Sequence, residues 1–359
     1  MKRVSLFIDS LGPGGAQRQI VGLAILLKKK GFDVKLATYF DLDFYKYALD
    51  NAGISYELIK GAASHIGRIW AVMKYYSRER YDWVIAYQET PSLILSLLKL
   101  FGFKFKLIVS ERNTTQTFTL KDRIRFFLYR WADLIVPNSY AQEEILLSNY
   151  PQMKSKVITI TNFVDLDYFD FYEYQSKGVP EIVIAASIWP PKNTLGFIEA
   201  VRIVKNRGLN IHFKWYGYSG SNKDYYDKAM SLIKAYHLED YLELLPKTSN
   251  IKQAYRDCRY FCLPSFYEGT PNVIAEAMST GRPILCSDIS DNPRFVVNFE
   301  NGFLFDPCDP VSIANAIEIA THLTEEEYKA MCLKSREIAK EMLSESVFIN
   351  KYIEILNKC

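Results

Sequence analysis

The chain has 359 residues, 49% hydrophobic and 24% charged, which excludes a disordered or low-complexity chain and allows two domains with separate cores. The net charge of +3 hides an asymmetry: residues 1–165 carry 23 Lys+Arg against 15 Asp+Glu, and residues 166–359 carry 21 against 26. A basic first half points to an anionic partner such as a membrane surface or a phosphorylated lipid, and with no recognition motif beside the charge, nucleic acid is not expected.

In chain order, MKRVSLFIDSLGPGG begins with an apolar run too short for a signal peptide, and VSLFID reads as a first strand ending in a glycine loop. Gly14 and Gly15 there would let backbone approach a ligand, or would simply make a strand-to-helix turn. The loop does not match G-x-G-x-x-G, which argues against a nicotinamide cofactor. VKLATYF, WVIAY and KLIVSE read as further buried strands, with helical patterns such as AQRQIVGLAILLKKKG and RIWAVMKYYSRE between them. LIVPNS and KVITITNFVD read as continuing the same parallel sheet.

The stretches KLFGFKFKLIV and TLKDRIRFFLYRWAD interleave Lys and Arg with aromatic and aliphatic residues. That composition suits a peripheral position on an anionic leaflet; the other reading is core aromatics with a solvated charged face. No apolar run approaches the ~20 residues of a spanning helix. Asp165 and Asp167 form a D-x-D that could suggest a metal site, but it ends the last strand pattern at the domain junction.

The aromatic, acidic and then polar stretch LDYFDFYEYQSKGVP breaks the strand-helix rhythm, so the expected organisation is domain 1–166, linker 167–179, domain 180–342 and a C-terminal helix 343–359 free to pack on either domain. EIVIAASI, NIHFKWYGYSG, YLELLP, RYFCLPS and PILCSD read as the strands of the second domain. Two such domains in tandem place a ligand beyond the carboxyl ends of the strands, in the cleft between them. The six cysteines, Cys258, Cys262, Cys286, Cys308, Cys332 and Cys359, show no C-x-x-C spacing and read as small buried apolar residues in a reducing cytoplasm.

The densest signal is PSFYEGTPNVIAEAMSTGRPILCSD, residues 264–288. Thr270 reads as an N-cap and Pro271 as the first residue of a helix that stops at Gly281, with a strand before it and another after. Glu268 then lies in the loop before the helix and Glu276 in its second turn. The helix N-terminus between them suits a phosphate, while carboxylates suit sugar hydroxyls and would repel phosphate. The layout matches a nucleotide sugar; the plainer reading is a loop charge and a solvated helix residue.

Taken together, GPGGAQR, VSERN, VPNS and TNFVD in the first half resemble the retaining glycosyltransferases of family 4, as do PPKN, WYGYSG, the E-x7-E motif EGTPNVIAE, AMSTGRPILCSD and NGFLF in the second. The resemblance spans nearly the whole chain and implies the α/β GT-B fold, two Rossmann-like domains facing across a cleft. It implies that Glu276 holds the ribose, that Glu268 holds the donor sugar, and that Gly15 and the segment Gly269, Thr270, Pro271, Asn272 and Val273 meet the donor phosphates. Lys192 would neutralise the leaving diphosphate, unless it is a plain surface charge; with Glu268 it forms the expected catalytic pair. Gly14, Glu111, Arg112 and Asn113 are candidates for the acceptor side, with a structural ion pair as the alternative for Glu111 and Arg112.

Three positions depart from the family pattern: Ser187 stands where many members have arginine, no histidine lies in the first-domain region that often has one, and Arg294 replaces a frequent glutamate. The implied reaction moves a hexose or N-acetylhexosamine from a nucleotide sugar, UDP-linked in preference to GDP-mannose, to a lipid-diphosphate-linked saccharide. No metal and no cofactor are expected. The setting would be capsule, O-antigen or exopolysaccharide assembly, in the cytoplasm at the inner face of the membrane. The alternatives are an epimerase of the same fold and a nucleotide-sugar-binding protein without turnover.

Overall fold

The computed structural model describes residues 1–61, 64–176 and 178–358. They form two compact units, one of Met1–Asn162 together with the final helix and one of Phe163–Ser344.

In the first unit six parallel strands, β1 (Arg3–Phe7), β2 (Asp33–Thr38), β3 (Ser55–Leu58), β4 (Trp83–Tyr87), β5 (Lys106–Glu111) and β6 (Leu134–Pro137), lie in the order β3-β2-β1-β4-β5-β6. Helices α1 (Gly15–Lys29), α2 (Lys46–Asn51), α3 (His65–Arg78), α4 (Glu89–Leu100), α5 (Leu120–Leu128) and α6 (Tyr140–Asn149) connect them. β4 is buried at every residue, as expected of a strand covered by helices on both faces. Hydroxyl caps start several helices where the apolar pattern begins, Ser64 on α3, Thr119 on α5 and Ser139 on α6.

The second unit repeats the plan with β7 (Glu181–Ala185), β8 (His212–Tyr218), β9 (Leu242–Pro246), β10 (Tyr260–Leu263), β11 (Ile284–Ser287) and β12 (Gly302–Phe305), ordered β12-β11-β10-β7-β8-β9. Its helices are α7 (Thr194–Asn206), α8 (Lys223–Ala235), α9 (Ile251–Asp257), α10 (Asn272–Ser279), α11 (Asn292–Phe295), α12 (Pro310–Thr321) and α13 (Glu325–Leu343). Two apolar clusters, one built around Phe197, Phe213 and Trp215 and the other around Tyr255, Phe261 and Met278, form its core. α14 (Glu345–Lys358) belongs to the first unit, where Tyr352 shares a hydroxyl hydrogen bond with Tyr87 (3.0 Å) and Leu356 accepts from Lys2 Nζ (2.5 Å).

Several expectations need correction. KVITITNFVD forms no strand: it is tied to β6 by Ile158 N–H to Ile135 O (3.0 Å) and Ile160 N–H to Pro137 O (3.1 Å), with isolated bridges at Val157, to Ile135, and at Val164, to Ser344. The stretch 167–179, read as a linker, packs into the second unit as far as it is described: Phe169 is buried and Asp170 is bound by Lys252 (2.8 Å) and Arg256 (2.6 Å). Its Lys177 lies outside the described residues. Of its aromatic residues Phe169 is buried and Tyr174 half-buried, whereas Tyr168, Phe171 and Tyr172 are exposed. Cys308 is exposed, in the turn after β12 where its N–H bonds Asp306 (2.8 Å), while Cys258, Cys262, Cys286 and Cys332 are buried and Cys359 lies outside the described residues.

Candidate active site

In the second unit the strand order reverses between β7 and β10, and ligands of doubly wound sheets bind outside the carboxyl ends at such a reversal. The chain leaves β7 through Ala186–Trp189 into a short turn, Pro190–Lys192, and leaves β10 through residues 264–271. A backbone bond from Phe266 N–H to the Pro191 carbonyl (2.9 Å) holds the two loops together. Across this junction Lys192 Nζ meets Glu268 Oε1 at 2.5 Å, and Ser265 Oγ donates to the same oxygen at 2.6 Å. Side-chain exposures of 25% for Lys192 and 12% for Glu268 leave both reachable from solvent while the serine fixes the carboxylate.

Helix α10 begins one residue later than expected. Its first intrahelical bond runs from Ala275 N–H to the Pro271 carbonyl (3.4 Å), which makes Pro271, with extended ψ of 117°, the cap. Thr270 is therefore not the N-cap but a buried loop residue one step before it. Asn272 and Val273 form the first turn, half-buried, at the positive end of the helix dipole. The helix ends as expected: Gly281 at φ +81 closes a Schellman motif, with Gly281 N–H to Met278 O (3.0 Å) and Arg282 N–H to Ala277 O (2.9 Å).

Glu276 is not a solvated helix residue. It is 3% exposed and accepts from the buried Tyr255 hydroxyl at 3.0 Å. Ser265 and Gly217 lie in quoted motifs but, like Tyr255, have no role of their own in the sequence reading. Of these only Gly217 carried a signal, a lone glycine inside a strand pattern, which marks a bulge or a close backbone approach. A Cβ at Gly217 would sit 1.8 Å from the Ala186 carbonyl oxygen, and the β8–β9 register shifts between Tyr216 and Tyr218. The Ala186 carbonyl also accepts from Trp215 Nε1 at 2.7 Å, so β8 anchors the loop that leads to Lys192. Ser187 and Arg294 are both exposed.

The first-unit candidates are not brought together as one group. Glu111 and Arg112, consecutive at the end of β5, do not pair with each other. Glu111 is 1% exposed, accepts from the Tyr129 hydroxyl, and meets Arg125 Nη2 at 3.3 Å. Arg112 bonds Asn162 and Ser110 and stacks 4.3 Å from the Tyr87 ring centroid. Asn113 is exposed; Gly14 caps α1 and Gly15 is its first residue. Asp165, of the D-x-D pair, accepts from the Asp167 and Tyr168 N–H groups (3.0 and 2.8 Å), a local turn.

Burial, only partly offset by Arg125, pushes the Glu111 carboxyl up to about 6. A raised acid stabilises the fold while protonated, fully below its ordinary value of 4.5, and loses that contribution as pH rises through about 6. The shift corresponds to about 2 kcal/mol. Urea unfolding at pH 4.5 and pH 7 is expected to give a Glu111→Gln variant whose pH slope is flatter than the wild type by about that amount; equal slopes would contradict the assignment.

Two family models match the chain, Glycosyltransferase Family 4 over residues 13–168 and Glycosyl transferases group 1 over residues 171–337. A relative from Campylobacter jejuni, N-acetylgalactosamine-N,N'-diacetylbacillosaminyl-diphospho-undecaprenol 4-alpha-N-acetylgalactosaminyltransferase, is 26% identical over 312 residues, 82% of this chain and 83% of its own. The Escherichia coli UDP-Gal:alpha-D-GlcNAc-diphosphoundecaprenol alpha-1,3-galactosyltransferase is 25% identical over 333 residues, 84% of each chain. Among solved structures, Anabaena HepE in complex with UDP superposes with a TM-score of 0.86 at 18% identity over the full length of both chains. A glycosyltransferase from Rickettsia africae superposes with a TM-score of 0.84 at 17% identity, over 99% of this chain and 98% of that one. With its first half matching one model, its second half the other, and two Rossmann-like units of the GT-B type carrying them, the chain belongs to the family 4, group 1 glycosyltransferases.

Proposed function

We propose that this enzyme moves a hexose or N-acetylhexosamine from a UDP-sugar to a saccharide on a lipid diphosphate, with retention of the anomeric configuration and without a metal, during surface-polysaccharide assembly. The observation that carries the reading is the Lys192–Glu268 pair at the sheet reversal, beside the N-terminus of α10. A cation 2.5 Å from a carboxylate matches the junction of a nucleotide sugar, where phosphate and sugar hydroxyls adjoin. The relatives named for UDP-galactose and undecaprenyl-diphosphate saccharides support the donor and acceptor classes.

In this mechanism negative charge grows on the leaving diphosphate as the sugar becomes oxocarbenium-like. Lys192 and the first-turn N–H groups of Asn272 and Val273 stabilise that charge, while Ser265 and Lys192 hold Glu268 for the sugar hydroxyls. Glu276, fixed by Tyr255, takes the ribose hydroxyls. The leaving phosphate oxygen accepts the proton of the attacking hydroxyl on the same face of the sugar, which retains configuration without an enzyme nucleophile. The test is nucleotide release from a panel of UDP- and GDP-sugars, with lipid extract, with and without EDTA. Release from one donor, unaffected by EDTA and lost in Glu268→Ala and Glu276→Ala, is expected; sensitivity to EDTA would overturn the metal-free reading, and release in both variants the site.

We also propose a peripheral position on an anionic membrane surface, carried by exposed apolar residues of α5 and of the end of α4. No helix of the described residues is long and apolar enough to cross a membrane. The two basic-aromatic stretches divide by residue: Phe105, Leu107, Phe126 and Tyr129 are core, whereas Phe101, Leu120, Ile124 and Phe127 are exposed, and Arg130 stacks 3.9 Å from the Phe127 ring centroid. Exposed apolar side chains with basic neighbours fit an anionic interface. Flotation with phosphatidylglycerol vesicles but not neutral ones is expected, weakened in Phe127→Ser; no preference between the two lipids would count against it.

A further inference from the structure

The first unit has its own reversal of strand order, between β1 and β4. Asp9 lies two residues beyond β1 and Gln88 directly follows β4. Gln88 adopts φ 74 and ψ 167, a region that glycine alone occupies comfortably and that other residues hold chiefly at functional sites. With its amide oriented to suit both neighbours, Gln88 donates to the two oxygens of Asp9 (2.9 and 3.0 Å) and accepts from Gln17 Nε2 (3.1 Å). Gln17 also donates to Asp9 Oδ1 (3.2 Å), as does the Ser10 hydroxyl (3.2 Å).

Gly14 makes this possible. Its backbone is extended, so any residue could adopt its conformation, yet a Cβ there would lie 2.3 Å from Gln17 Oε1. The missing side chain is the space into which the Gln17 amide folds. Asp9 is braced entirely by neutral donors: among the described residues no lysine or arginine is within ion-pair distance of it, in contrast to the buried, arginine-bound Glu111. Asp9, Gln17 and Gln88 are each only half-buried. The Asp9 carbonyl also accepts from the Tyr39 and Phe40 N–H groups (3.2 and 2.9 Å), which sets the 43% exposed Phe40 beside the cluster.

A solvent-reachable carboxylate without a cation repels phosphate and takes a neutral O–H donor. We infer that Asp9 accepts a hydrogen bond from a hydroxyl of the acceptor saccharide, with Gln17 and Gln88 as the positioning residues that aim it. This rests on the transfer reading above and adds to it the residues that select the acceptor.

Three variants test it. Asp9→Asn is expected to raise KM for acceptor in lipid extract by roughly tenfold to a hundredfold, the cost of a hydrogen bond to a charged group, with UDP affinity in calorimetric titration unchanged. Gly14→Ala displaces Gln17 and is expected to raise the same KM with little change in melting temperature, because only a flexible side-chain end must move. Gln88→Gly relieves the backbone and is expected to melt higher while losing acceptor affinity. An unchanged acceptor KM in Asp9→Asn, or a lower melting temperature in Gln88→Gly, overturns the inference. Saturation-transfer NMR with free N-acetylglucosamine and N-acetylgalactosamine separates the two readings. Transfer that Asp9→Asn abolishes supports the subsite even in an enzyme that releases no nucleotide, a result that would count against the transfer reading alone. Absence of transfer in the wild type, or its survival in Asp9→Asn, overturns the subsite.

Discussion

Lys192→Ala is expected to lower kcat by about 10²–10³, the effect of removing one preorganised donor from developing negative charge, while the protein stays folded. Its only described ion pair is with Glu268, and its side chain is 25% exposed, so the fold depends little on it. The loss should appear in kcat more than in donor KM, because the charge it meets is larger in the transition state than in the bound donor. Lys192→Arg should recover little, since a planar fork cannot occupy the point beside Glu268 Oε1 that the ammonium holds at 2.5 Å. Steady-state release of the nucleotide decides it. A kcat within threefold of wild type would make Lys192 a plain surface charge held by a neighbouring carboxylate.

Gly217→Ala is expected to destabilise the second unit by about 3 kcal/mol, at the upper end for forcing a methyl group into a packed site. The obstacle is backbone: the new Cβ would lie 1.8 Å from the Ala186 oxygen and 2.5 Å from its carbonyl carbon. Relief requires β7 and β8 to part where Ala186 N–H bonds the Tyr216 carbonyl (3.1 Å) and Trp215 Nε1 bonds the Ala186 carbonyl. Melting should fall by roughly 6–12 °C for a unit of this size. The chain beyond Ala186 leads directly into the turn that carries Lys192, so activity should fall further than the lost stability alone explains. An alanine variant that melts with the wild type would show that the close approach is relaxed in solution.

Much of the second-unit site was legible in the chain itself. The Glu268 loop, α10 and its stop at Gly281 follow from short-range rules, because proline, glycine and a 3.6-residue apolar period act on neighbouring backbone. Even there, the helix start moved by one residue, since the cap is defined by which carbonyl takes the first bond, and that carbonyl belongs to Pro271. The alternation of strands and helices sufficed for the fold class, but not for KVITITNFVD, whose β-branched run pairs with β6 at too few points to form a strand.

What the sequence by itself determined was the periodic and locally punctuated part: two sets of buried strands, their helices, and the glutamates flanking one helix N-terminus. Tertiary structure alone decided the partners. Glu111, the last residue of β5, turned from its neighbour Arg112 to Arg125, fourteen residues on, while Arg112 took Asn162. Glu276 received Tyr255 from α9, Lys192 received Glu268 from 76 residues away, and Asp9 received Gln88 from the end of a strand three places later in the chain yet adjacent in the sheet. Such pairings depend on strand order, and strand order is set by which faces pack together, a property that no local spacing encodes.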